Sequence, residues 1–135
     1  MRRGLLGEDH EQFRSAFRTF LEREAVPHRE RWNEAGLVDR SFFAAAGAAG
    51  FCGIDIDETY GGGGVRDFRF NTVIAEEIQL AHLNAAGLGL TLHNDVCMPY
   101  LRDLTDDAQK QRWLPGVVAG ELITAIAMTE PGIGS

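Results

Sequence analysis

The last eight residues of the chain carry its most distinctive set of chemical groups. Met128–Ser135 (MTEPGIGS) follows an apolar run and contains a threonine, a Glu-Pro turn, two glycines and a serine. Such a segment offers two hydroxyls and free backbone amides, and glycine lets another group approach the backbone closely. These features suit a flat heteroaromatic ring whose carbonyls and ring nitrogens need hydrogen-bond partners. The same composition also fits an ordinary turn after a strand or a frayed chain end.

A glycine run in the middle of the chain is the second candidate binding feature. Gly61–Gly64 precedes a predicted helix, as phosphate-binding loops do. No Lys-Ser/Thr pair follows it, however, and Asp67 places negative charge where an anion would sit. A flexible turn is therefore the preferred interpretation of these glycines.

Histidines and cysteines are the candidate metal ligands. His82 and His93 would share one face of a continuous helix, because their separation of 11 residues is about three helical turns. A transition metal needs three or four ligands, and no third is evident. Cys52 and Cys97 are too few and too far apart for a zinc cluster or a disulfide framework, so we expect them to be free and buried. No metal site is predicted.

Composition limits the classes of partner. The chain has 135 residues, of which 44 % are hydrophobic, and its 13 basic and 20 acidic side chains give a formal net charge of −7. This length suits one compact domain with a real core. The acidic balance argues against nucleic acid or an anionic membrane as a partner. No run approaches the ~20 apolar residues of a membrane span and no secretory signal is visible, so we expect a cytoplasmic protein without membrane insertion.

Helical periodicity accounts for most of the chain. Apolar residues recur at helical spacing between capping residues, prolines and glycines. The predicted helices cover approximately residues 9–24, 28–34, 41–49, 67–81, 96–104 and 108–118. Asp9 is expected to cap the first helix and Thr105–Asp107 the last, and Gly50 is expected to end the third helix in the left-handed conformation. Gly87 and Gly89 argue against helical continuity before His93. The pair Glu76-Glu77 is expected to form a solvated helix face.

The apolar run Leu122–Met128 (LITAIAM) predicts a strand, since it holds β-branched residues and shows no helical period. One strand alone leaves its backbone donors and acceptors unpaired. The strand could pair with a second copy, lie against the helices, or belong to a sheet that the chain does not include. The predicted fold class is therefore mainly α, an orthogonal bundle of about five to six helices with one C-terminal β-strand.

Motifs along the whole chain resemble the N-terminal part of the acyl-CoA dehydrogenase family. The most specific of them is Ala127–Ser135 (AMTEPGIGS), and Glu58–Gly62 (ETYGG) is the next. The supporting pieces are Asn94, Met98-Pro99, Gln109–Pro115 (QKQRWLP) and Gly116–Glu121 (GVVAGE), which stand in the order that the family shows.

The resemblance implies an FAD-dependent enzyme that acts on acyl-CoA thioesters. In the family, the α-proton leaves to a carboxylate base while the β-hydrogen leaves as hydride to the flavin, and an electron-transfer flavoprotein or a similar acceptor takes the electrons. The stretch that lies along the flavin ring matches Ile126, Ala127, Met128 and Thr129. The threonine hydroxyl is expected near the reactive ring nitrogen.

Substrate contacts are implied in the same way. Ser135 matches a serine that contacts the CoA portion of the thioester. Residues 87–96 resemble the helix pair that lines the acyl-chain cavity, which makes Leu92 and Val96 candidates for setting the acyl chain length. His93 is polar in this region, and its role there is left open.

The resemblance assigns no catalytic residue to this chain. The family's base lies in a C-terminal helical domain, and Glu130 has a structural role in its motif. The implied organisation is a helical domain over residues 1–120, followed over 121–135 by the first strand and flavin-edge loop of a β-barrel domain that the chain does not complete. Such a chain would be a fragment or truncated product, inactive alone and without tight FAD binding. The alternative is a non-catalytic helical module, a homo-oligomer or one partner subunit, that completes its orphan strand on its partner.

Overall fold

The structure, a computed structural model, describes residues 4–133. Its α-helices in that range are α1 (Glu8–Glu24), α2 (Arg29–Ala35), α3 (Arg40–Ala48), α4 (Arg69–Leu80), α5 (Asn84–Thr91), α6 (Met98–Leu104) and α7 (Asp107–Val118). Two 3₁₀ turns, Val26–His28 and Glu58–Tyr60, and one π-helical turn, Leu92–Cys97, complete the regular structure. The mainly helical fold expected from periodicity is confirmed. None of the described helices is long and apolar enough to cross a membrane.

The first and last helices begin at caps of different kinds. Gly7 is the N-cap of α1, and its amide donates to His10 Nδ1 at 3.1 Å. The predicted cap, Asp9, instead lies in the first turn, where an acidic side chain interacts favourably with the helix dipole. Asp106 caps α7 as predicted, in a reciprocal pair of hydrogen bonds with Gln109.

The helical run from residue 84 to residue 104 is continuous, so the interruption expected at the glycines is wrong. Gly87 serves the crossing of α5 with α4, because a Cβ there would lie 2.0 Å from Ile78 Cγ2. The π-helical turn comes just before Pro99, which has no amide to donate and whose ring crowds the preceding turn. His82 lies before this run with a φ of 54°, so it shares no helix with His93.

Aromatic side chains form much of the core. Phe17 stands at the centre, edge-on to Phe51 with ring centroids 4.9 Å apart and beside Phe20 at 5.9 Å. Both cysteines are free and buried, as expected, and burial raises the pKa of the Cys52 thiol to about 12. The fully buried side chains with the largest volumes are Phe17, Leu21, Ile56, Ile74, Ile78, Leu90, Met98, Leu114, His93 and Val73.

The contact between α3 and the end of α7 depends on two glycines. A Cβ at Gly47 would lie 2.3 Å from the carbonyl carbon and oxygen of Ala119. A Cβ at Gly120 would lie 2.0 Å from the carbonyl oxygen of Phe43, and Gly120 has a φ of +70°. Glycine at both positions therefore brings the two backbones together and directs the chain after α7 across α3.

Glu77 contradicts the expectation of a solvated face at Glu76-Glu77. Its side chain is only 2 % exposed and lies between α4 and α1. Arg14 donates to it at 2.8 Å, and Arg18 donates twice, at 2.8 and 3.0 Å. Glu76 is partly exposed and accepts from Arg14 at 2.8 Å. The ion-pair network therefore joins the two helices, and Glu77 is part of their packed interface.

The predicted strand over 122–128 is not observed in the described residues. The chain there follows no regular element, and the nearest pairing is an isolated bridge between Glu130 and Ile133. A strand is defined by hydrogen bonds to a neighbouring strand, and no segment within residues 4–133 provides one. Ile123, near the start of this segment, packs against the helical core. Pairing with a second copy or with a further sheet stays a prediction.

Candidate functional site

The segment 121–129 leaves α7 at Gly120 and is tied to the helices at its start. The amides of Glu121 and Leu122 both donate to the carbonyl oxygen of Gly116, at 3.0 and 2.9 Å. Arg40 donates to the carbonyl oxygen of Glu121 at 2.8 Å. These contacts fix the direction in which the segment crosses the bundle.

His93 holds the next part of the segment. Its side chain is 0 % exposed, and its Nδ1 lies 2.8 Å from Thr124 Oγ1 and 3.3 Å from the Thr124 amide. Its Nε2 lies 2.9 Å from the carbonyl oxygen of Val117. Burial lowers the pKa of His93, and the Val117 hydrogen bond only partly offsets this. The imidazole is therefore neutral at pH 7 and joins α7 to Thr124.

An apolar groove of about 330 Å³ lies between this segment and the last part of the helical run 84–104. One side is formed by Cys97, Tyr100 and Leu101, at the end of the π-helical turn and in α6. The other side is formed by residues 124–128. We call this cavity the segment groove.

The four residues predicted to lie along a flavin ring all follow Thr124 on this segment. Ile126 is partly buried, Ala127 and Thr129 are exposed, and Met128 is 75 % exposed. Ile126, Ala127 and Met128 line the segment groove. Within the described residues, the backbone amides from 125 to 129 have no hydrogen-bond acceptor. The segment therefore presents a row of free donors and one hydroxyl beside an apolar wall.

The end of the segment is a tight turn. Glu130 and Ile133 exchange backbone hydrogen bonds of 3.4 and 3.2 Å, and Gly132 has a φ of +79° in open space. Glu130 thus lies in a turn, in keeping with the structural role expected for it. Ser135, the predicted CoA contact, lies outside the described residues.

The two residues predicted to line the acyl-chain cavity, Leu92 and Val96, both lie in the π-helical turn. Leu92 is half-buried and Val96 is 36 % exposed. A groove of about 500 Å³ opens between α4 and α5, which we call the α4/α5 groove. Its lining residues are Ala75, Ile78, Gln79, Asn84, Gly87, Leu88, Thr91 and Asp95.

Thr91 and Asp95 line this groove, whereas Leu92 and Val96 do not. The sequence motifs did not single out Thr91 or Asp95. They continue the spacing of four from Gly87, a helical signal that was available in the sequence. Asp95 Oδ1 accepts from Asn71 Nδ2 at 2.6 Å. Burial raises the pKa of Asp95, against the opposing effect of the Asn71 hydrogen bond. The groove thus contains a carboxyl group among apolar and amide side chains.

The remaining candidate residues have structural roles. Gly62 and Gly63 lie against the backbone of residues 54–56, where a Cβ would come within 2.1 Å of the Ile56 carbonyl oxygen and 2.8 Å of the Ile54 carbonyl oxygen. This loop is closely packed, which differs from the flexible turn expected. In the described part of the chain, no group of three or more His, Cys, Asp or Glu side chains is placed to hold a metal ion.

Comparison with known proteins defines the class to which this fold and segment belong. A family model described as acyl-CoA dehydrogenase, N-terminal domain, matches residues 7–121. Because that match covers most of the chain, the protein belongs to the acyl-CoA dehydrogenase family, as its motifs indicated.

Individual proteins of the same family are also similar to this chain. The mitochondrial long-chain specific acyl-CoA dehydrogenase of Sus scrofa is 39 % identical over 133 residues, which are 98 % of this chain and 30 % of that protein. The mitochondrial isovaleryl-CoA dehydrogenase of Bos taurus is 31 % identical over 132 residues, 96 % of this chain and 30 % of that protein. The crystal structure of acyl-CoA dehydrogenase from Geobacillus kaustophilus matches with a TM-score of 0.89 and 48 % identity, over 98 % of this chain and 34 % of that one. The chain spans about a third of the length of these relatives.

Proposed function

We propose that this chain supplies one edge of the flavin site and one wall of the acyl site of an FAD-dependent acyl-CoA dehydrogenase. The observation that carries the proposal is the segment 124–129, held on the helices at Thr124 and then free in its backbone amides beside an apolar groove. The last three residues of this segment begin Ala127–Ser135, the motif by which the chain most resembles the family. The reaction is the α,β-dehydrogenation of an acyl-CoA thioester.

The exposed polar groups of the segment fit the ring of FAD. A flavin ring has carbonyl oxygens and ring nitrogens along one edge and a flat apolar face, and the segment offers amide donors, the Thr129 hydroxyl and an apolar wall. When bound, FAD accepts the hydride from the substrate. We assign the edge contacts to Ile126, Ala127, Met128 and Thr129, with the threonine hydroxyl directed to a ring nitrogen.

The acyl group is assigned to the wall formed by α5 and the π-helical turn. Leu92 and Val96 remain our candidates for setting the acyl chain length, and the α4/α5 groove adds Thr91 and Asp95. Ser135 is assigned to the CoA portion. An electron-transfer flavoprotein or a similar acceptor would take up the electrons.

We assign residues 1–120 to the helical domain and 121–135 to the start of a β-barrel domain. No residue of this chain is assigned as the base, and Glu130 keeps its structural role in the turn. On this assignment, the 135 residues alone have no measurable affinity for FAD and no dehydrogenase activity.

Replacing Thr129 by valine is expected to reduce flavin content and flavin reduction in a chimera that supplies the rest of the enzyme. In the chimera, this chain replaces the matching third of the acyl-CoA dehydrogenase of Geobacillus kaustophilus. Losing one hydrogen bond to a charged or polarised ring is worth roughly 1 to 2 kcal/mol, or about a tenfold effect. Bound flavin and the rate of its reduction by an acyl-CoA thioester are measured by absorbance.

Thr19→Val is the matched control, because Thr19 is an exposed threonine on α1 that bonds only the Ser15 carbonyl oxygen. The control should retain the flavin content and reduction rate of the unmutated chimera. Unchanged flavin content and rate in Thr129→Val would remove Thr129 from the site.

The second candidate function is an interaction module, favoured by the same row of free amides. A segment with unpaired backbone donors can add as a strand to the sheet of a partner, and Met128 and Ile133 are 75 % and 73 % exposed on it or just after it. This alternative predicts that the chain self-associates or binds a partner through residues 122–128. Light scattering of the purified chain that shows a monomer at all concentrations would count against pairing between copies.

A further inference from the structure

His93 is the last polar anchor of the segment before its free amides. The earlier ties to Gly116 and Arg40 end at Leu122. Among the described residues, the amides that follow Thr124 have no acceptor until the turn at Glu130. The position of residues 125–129 above the segment groove therefore depends on how Thr124 is held.

Hydrogen-bond chemistry determines which nitrogen of His93 carries the proton. The Val117 carbonyl oxygen can only accept, so Nε2 donates to it across 2.9 Å. Nδ1 is then the acceptor, which receives the Thr124 hydroxyl at 2.8 Å and the Thr124 amide at 3.3 Å. Phe43 packs against the imidazole in an edge-to-face arrangement, with ring centroids 6.2 Å apart. Both ring nitrogens of this fully buried side chain are thus satisfied in one tautomer, with the proton on Nε2.

We propose that His93 is a positioning residue for the flavin edge. It connects the end of α7 to Thr124 and so sets the course of Ile126 to Thr129 over the segment groove. The inference rests on the proposed function for its flavin consequence, whereas the connection to Thr124 stands on the geometry alone. A side chain that served packing only could be replaced by an apolar one of similar volume without moving the segment.

Two substitutions separate the two hydrogen bonds of the imidazole. The side-chain amide of asparagine reaches about as far as Nδ1, and that of glutamine about as far as Nε2. His93→Asn therefore keeps an acceptor for Thr124 and loses the Val117 bond. His93→Gln keeps a donor for Val117 and loses the Thr124 bonds. Each variant removes part of the same network, so each serves as the control for the other.

Hydrogen exchange in the 135-residue chain tests the connection directly. We expect exchange of the Thr124 amide to be roughly five- to tenfold faster in His93→Gln, because the bond lost is worth about 1 kcal/mol. In His93→Asn it should stay within about twofold of the unmutated chain. Thr124→Val, which removes only the hydroxyl, gives an intermediate increase and serves if a His93 variant does not fold. Equal exchange in the Gln and Asn variants would overturn the connection.

The flavin consequence is measured in the chimera by the visible circular dichroism of bound FAD. His93→Gln is expected to change this spectrum and to lower the flavin reduction rate roughly tenfold, and His93→Asn, which keeps the Thr124 bond, is expected to change both by less. Faster exchange at Thr124 with an unchanged flavin spectrum would overturn the positioning role and leave the proposed function standing. An unmutated chimera that folds without FAD would overturn the proposed function and the flavin role together, and the exchange result at Thr124 would show that the connection itself is present.

Discussion

Replacing Glu77 by glutamine is expected to lower the free energy of unfolding by about 3 kcal/mol at neutral pH. The Glu77 carboxylate is 2 % exposed and accepts three charged hydrogen bonds from Arg14 and Arg18. Breaking a buried pair by removing one partner costs about 3 to 5 kcal/mol. The low end applies here, because the Arg18 side chain is 53 % exposed and can turn to water. Urea unfolding followed by tryptophan fluorescence measures the difference.

The pH dependence of this difference has a definite sign. Burial alone would raise the pKa of Glu77, but the hydrogen bonds from Arg18 and Arg14 outweigh it and lower the pKa below its ordinary value of 4.5. The stabilisation is therefore fully present above about pH 4.5 and is lost as the pH falls through the depressed pKa. The unfolding free energies of the two proteins should converge in acid.

Glu76→Gln is the matched control for Glu77. It removes a carboxylate from the adjacent position, where the side chain is 33 % exposed, and costs less than about 1 kcal/mol. Similar losses for Glu76→Gln and Glu77→Gln would contradict the buried network as the source of stability.

Gly120→Ala has the second large expected effect, a loss of about 3 kcal/mol in unfolding free energy. A Cβ at this residue would meet the Phe43 carbonyl oxygen at 2.0 Å and the Ala44 amide nitrogen at 2.9 Å. Because both atoms belong to the backbone of α3, the clash is relieved only by moving α7 away, which costs about 1 to 3 kcal/mol. The left-handed φ of +70° adds about 1 kcal/mol for any residue with a Cβ.

Gly50→Ala separates the two contributions. Gly50 has a similar φ of +78°, but a Cβ there meets nothing within 4 Å. Its substitution should cost only about 1 kcal/mol, the part due to backbone conformation. Thermal unfolding measures the loss of unfolding free energy in both variants. Equal losses would show that the close contact between α3 and the end of α7 does not contribute to stability.

Local patterns in the sequence predicted the helices well because helix boundaries depend on nearby residues. The cap at Asp106 and the left-handed glycine at Gly50 were both predicted from their positions.

Glu77 was assigned to solvent because an acidic side chain usually lies there. Its partners Arg14 and Arg18 come from a helix about 60 residues away, and helical periodicity carries no information on such a contact. The continuity past Gly87 was missed for the same reason, since Ile78 on another helix explains that glycine.

The motif of the candidate site could be predicted from the sequence, but the contacts that hold it on the helices could not. The sequence singled out the segment around Thr129, and its free amides could be inferred from the turn and glycines that follow. The role of His93 could not, because the residue lies 31 positions from Thr124 and meets it only when α7 returns the chain to the π-helical turn. The strand over 122–128 was predicted from residue types alone, and those types do not provide the neighbouring strand that pairing needs.

Flavin binding by the chimera shows whether this chain forms one edge of a flavin site and one wall of an acyl site. The purified chimera is loaded with FAD, and its absorbance spectrum is recorded without oxygen before and after the addition of straight-chain and branched acyl-CoA thioesters. We expect a yellow protein that retains FAD stoichiometrically and whose flavin is bleached by at least one thioester. A chimera with the helical circular dichroism of its parent that retains no flavin, or whose flavin no thioester reduces while the parent's is reduced, would contradict the claim that this chain forms the flavin edge and the acyl wall.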